Sequence, residues 1–78
     1  MAEITNGFYN TNNGVYVTDH QYVWEYKYFY HGQDEVQLVA KELRTGTFVF
    51  QPLFSEGDMQ KEIQNILDEE TVRIVHRD

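Results

Sequence analysis

Cysteine is absent from all 78 residues. That removes disulfides, thiolate zinc sites and cysteine nucleophiles together, and it disfavours a small secreted scaffold. Long apolar runs are missing too, since nothing approaches the ~20 residues of a membrane span. The opening MAEITNGFYN carries neither the basic nor the apolar stretch of a signal peptide, so the expected location is the cytoplasm. Positive charge is scarce: thirteen acids face six bases, a formal charge of −7. A chain of that balance has little with which to neutralise the phosphates of nucleic acid or of an anionic membrane. The expected partner is a protein with a basic surface, which an acidic field attracts and steers.

What remains is a single small domain spanning 1–78. A chain this short buries only ~60% of the surface its unfolded form exposes, so each large apolar side chain matters. The first half is punctuated like a β-meander. Asn6-Gly7, Asn13-Gly14, the polar Asp19-His20-Gln21, Gly32-Gln33-Asp34 and Thr45-Gly46 all read as turns, because Gly and Asn tolerate the backbone angles that tight turns need. Between them, strands are expected at 8–10, 15–19, 21–31, 35–43 and 47–54, the last limited to an edge by Pro52, which has no N–H to donate.

A helix is predicted over 55–70. Ser55 is its expected N-cap, with Asp58 three residues on. Met59, Ile63, Ile66 and Leu67 form one apolar stripe. The β-branched TVRIVH, 71–76, reads as a short final strand. The expected fold is therefore α+β: a mostly antiparallel meander of four to six strands, one amphipathic helix packed on a face, and a short closing strand.

The stretch YVWEYKYFYH, 22–31, sends Tyr22, Trp24, Tyr26, Tyr28 and Tyr30 to one face of its strand and Glu25 and Lys27 to the other. The aromatic side is the natural core. One short helix cannot cover five rings, four of which carry hydroxyls that need a partner. The expectation is that Trp24 and Tyr26 are covered while Tyr28 and Tyr30, or else Tyr22, stay partly exposed as anchors for a partner.

No catalytic or metal site is legible. His20, His31 and His76 match no ligand spacing, no glycine-rich phosphate loop occurs, and no cofactor is implied. The chain reads as a non-enzyme. Its acids suggest a row of carboxylates instead: Asp58, Glu62, Asp68 and Glu69 on the helix, with Asp34, Glu35 and Glu42 nearby. Such a row could imitate nucleic acid to a nucleic-acid-binding protein. In composition alone, the size, acidity and aromatic load are similar to phage- or mobile-element-encoded inhibitors of host nucleases, DNA mimics among them. The sequence thus points to a small acidic binding or inhibitor protein that engages a basic surface of a nucleic-acid-handling protein. The alternative is a self-associating scaffold module, a homodimer built through an exposed aromatic strand.

Overall fold

The structure, a computed structural model, describes residues 8–31, 35–54 and 57–77. Four strands follow one another: β1 Phe8–Val17, β2 Val23–His31, β3 Glu35–Glu42 and β4 Phe48–Phe54. They form one antiparallel sheet in the order β1-β2-β3-β4. The helix α1, Met59–Val75, closes the described chain. This is the expected α+β meander with one helix near the C-terminus.

Alternation along the strands decides what is inside. Trp24 and Tyr26 of β2, Val36, Leu38 and Ala40 of β3, and Val49 and Leu53 of β4 are buried beneath Ile63 and Leu67 of α1. Tyr28 and Tyr30 are half-buried and pack against the rim of this core. The helix covers the middle of the aromatic stripe and leaves that end partly open, as the volumes require.

One turn read from the sequence takes another form. Asn13-Gly14 is no turn but the interior of β1, where Gly14 pairs with Tyr26. The Tyr26 ring lies across the glycine, so that a Cβ there would stand 2.6 Å from Tyr26 Oη and 2.8 Å from Cζ. Glycine in a strand often marks such a close approach. The ring cannot retreat freely, because Gln60 Nε2 donates to its hydroxyl at 2.8 Å and Tyr28 stacks beside it with centroids 6.5 Å apart. Gly14→Ala should therefore cost about 2 kcal/mol through overpacking, read as a lower urea midpoint with unchanged slope. Asn6-Gly7 and Gly32-Gln33-Asp34 lie outside the described residues.

The helix corrects two further expectations. Its N-cap is Asp58, whose carboxylate accepts from Lys61 N–H at 3.3 Å, and the first helical residue is Met59. Ser55 lies outside the described residues. Gly57, just before the cap, is a poor helix former, which favours the later start. At the other end no final strand forms, because 71–75 are the last turns of α1. Thr71 continues the buried spacing of Ile63 and Leu67, and Ile74 packs against the core. The hydroxyl of Thr71 receives the buried Trp24 indole N–H at 2.9 Å and donates to Leu67 O at 2.8 Å. Tertiary partners override the weak β preference of Thr, Val and Ile.

Candidate binding surfaces

The sheet has two unlike faces. On the helix side, the carboxylates expected to form a free row are mostly engaged within the fold. Asp58 caps the helix. Glu62 accepts the Phe54 N–H at 3.1 and 3.3 Å. Asp68 accepts the Tyr16 hydroxyl at 2.9 Å, across 52 residues of sequence. Glu69 is exposed, while Glu70 lies 3.5 Å from Arg73. Burial first, then the bond to Asp68 and the charges of Asp68 and Asp19, hold the Tyr16 phenol above its ordinary value. Asp68 and Asp19 thus both act on one phenol at the end of β1.

Glu42 does not belong to any acidic surface. It is fully buried and sits at the end of β3, beside Trp24 in the register. One carboxylate oxygen takes the N–H groups of Arg44 and Thr45, each at 2.8 Å, and the Thr45 hydroxyl at 3.1 Å. The other takes the Val23 N–H at 2.8 Å. Burial pushes this carboxyl up, but the hydrogen bonds from Thr45, Val23 and Arg44 outweigh it and hold the group below its ordinary 4.5. The side chain knots the β3–β4 turn to the start of β2. Its role is structural, and its removal from the candidate site is a correction.

The remaining candidates scatter. Glu35 is exposed at the start of β3, on the face away from the helix, and Asp34 lies outside the described residues. Tyr22 precedes β2 and lies under the Arg44 guanidinium, 5.0 Å from its ring centroid. Tyr28 and Tyr30 touch each other at 6.5 Å. For Tyr28, burial first, then the neighbouring Tyr30 and Tyr26, raise the phenol above its ordinary value. These two rings are core rim with an accessible edge, not free-standing anchors. Among the described residues, no three His, Asp or Glu side chains stand close enough to hold a metal ion, and no helix is long and apolar enough to cross a membrane.

The opposite face of the sheet carries the larger exposed apolar surface. Phe48, Phe50 and Phe54 of β4 are 56%, 68% and 76% exposed, and Val15 and Val17 of β1 are exposed as well. Phe48 and Phe50 stack with centroids 6.1 Å apart, and the Lys41 ammonium lies 5.8 Å over Phe48. Cross-strand register sets Val15, Glu25, Lys41 and Phe48 in one row and Asn13, Lys27, Val39 and Phe50 in the next. A groove of about 460 Å³ runs over Asn13, Val15, Glu25, Lys27, Val39, Lys41 and Phe48 of these rows. The three phenylalanines are not among the expected anchors, although the sequence carries their signal. FVFQPLF is apolar at both parities, and a single helix can cover only one of them.

No protein-family model matches the chain, and neither a curated protein nor a solved structure is similar enough to it to count as a match.

Proposed function

We propose that the protein is a small, non-enzymatic binding protein whose helix side docks on a basic surface of a nucleic-acid-handling protein. One observation carries this reading: the charge is segregated. On the open face Glu25 and Glu35 are balanced by Lys27 and Lys41. The excess of acid lies on α1 and the adjoining turn, as Asp19, Asp58, Glu62, Asp68, Glu69 and Glu70 against Lys61, Arg73, Arg77 and the Arg44 that donates to Gln21 O in that turn. The fold uses some of these carboxylates as struts, which sets where they stand. A field of one sign on one side favours encounter with an oppositely charged partner in a set orientation.

The test is capture on the immobilised protein from cell lysate at about 50 mM salt, followed by stepwise elution to about 500 mM. Basic nucleic-acid-handling proteins should be retained and then released as salt rises. The double variant Asp19→Lys, Glu69→Lys changes two exposed carboxylates with no internal role assigned above, and it should retain at least ~10-fold less. Equal retention by the variant, or retention indifferent to salt, would sink the reading.

A further inference from the structure

The open face of the sheet supports a different conclusion, independent of the acidic side. We propose that it is covered by a second copy of this chain, open face against open face, giving a two-fold helix–sheet–sheet–helix sandwich.

Three observations select that occupant. The first is area. Three phenylalanines exposed by 56%, 68% and 76% present roughly 400 Å² of ring surface if each offers ~200 Å² in full. Val15, Val17 and the aliphatic stems of Lys27 and Lys41 bring the face toward the ~800 Å² per partner of a standard interface. Two such sheets pack ~10 Å apart with side chains interdigitated.

The second is charge. In a chain of net charge −7, two copies repel across most approaches. The open face is the exception, with Glu25 and Glu35 set among Lys27 and Lys41, two of the chain's three lysines. Opposite charges on one balanced patch are what an isologous interface needs, because each residue meets the same patch on its partner.

The third is the state of β2 and of the β4 edge, beside which the phenylalanines stand. β2 is interior, flanked by β1 and β3, so the long aromatic strand cannot extend a sheet into a neighbour. The β4 edge is blunted. The Glu42–Thr47 bond and the β3–β4 register turn the backbone N–H groups of 48, 50 and 54 outward. Pro52, at the same parity, has none to offer. The Phe54 N–H is already taken by Glu62. Edge-to-edge addition at β4 is thus hindered, as native edges commonly are, while the face beside it stays bare among the described elements.

The experiment is sedimentation equilibrium of the full chain from about 5 to about 500 µM. The wild type should rise from monomer to a plateau at twice the monomer mass. Phe50→Glu places a charge in the middle of the phenylalanine row on β4 and should raise the dissociation constant at least ~100-fold. Circular dichroism should not change, since Phe50 is exposed. Lys41→Glu should weaken the dimer about 10-fold, and the exchange Glu25→Lys, Lys41→Glu should recover most of that loss. Raising salt should tighten the dimer by screening the net repulsion.

A wild type that stays monomeric throughout would overturn the proposal. So would a dimer indifferent to Phe50→Glu, or an assembly that grows past two copies without a plateau. The acidic-side reading shares no residue with these variants, so either proposal can fail without the other.

Discussion

Replacing Glu42 with alanine should cost about 4 kcal/mol, a large part of the total stability expected for a domain of this size. The side chain is fully buried and receives three backbone N–H groups and a hydroxyl. Removing it strands those donors without water, and each unsatisfied buried donor costs about 1–3 kcal/mol unless the turn opens to solvate it. Glu42→Gln keeps the shape and one accepting oxygen but sets an amide NH₂ against one of the donors. It should cost about 2 kcal/mol.

The pH dependence follows from the direction of the shift. The folded carboxyl ionises below its ordinary 4.5, so its contribution is fully present above that value. It is lost as pH falls from there through the folded pKa. Urea denaturation from pH 7 to pH 3 should therefore show the gap between wild type and Glu42→Gln narrowing only below about 4.5. A gap that is constant over that range would mean that the charge contributes nothing.

The second large effect concerns the hydrogen bond between Trp24 and Thr71. Thr71→Val preserves volume yet leaves the buried indole N–H without its acceptor, which should cost about 2 kcal/mol and lower Tm by about 10 °C. Trp24→Phe removes the N–H and part of the ring, with a similar or larger loss from the cavity it opens. The two together should cost at least ~1 kcal/mol less than the sum of the singles, because the second change no longer strands a donor. Strict additivity would show that the indole and the hydroxyl do not depend on each other, and the last turns of α1 would then need another anchor.

These two residues also show where reading the sequence stops. The meander, the parity of β2 and the apolar stripe of α1 are local patterns, and alternation or a helical period exposes them. Thr71 reads as strand because β-branched propensity is a local signal, while the indole that holds it in a helix lies 47 residues away. Gly14 reads as a turn for a similar reason. Its use is to make room for Tyr26, a neighbour only through strand pairing. Among the acids, composition reveals the charge but not the engagement. Asp68 finds Tyr16 and Glu42 finds Val23 through tertiary contacts, so a surface row inferred from the helix alone overcounts its free members. The open face, by contrast, was within reach. Two apolar parities in β4 against one covering helix leave a remainder, and that remainder is Phe48, Phe50 and Phe54.

The central claim is that the two faces differ in what they do, the open one being built to be covered. Solvent paramagnetic relaxation of the aromatic protons, with a soluble gadolinium chelate, would test it ring by ring at about 50 and about 800 µM protein. The account predicts strong relaxation of Phe50 and Phe54 in the dilute sample, marked protection of both on concentration, and no change at Tyr28 and Tyr30. Phenylalanine rings equally accessible at both concentrations, or protection that appears on the tyrosines instead, would contradict it.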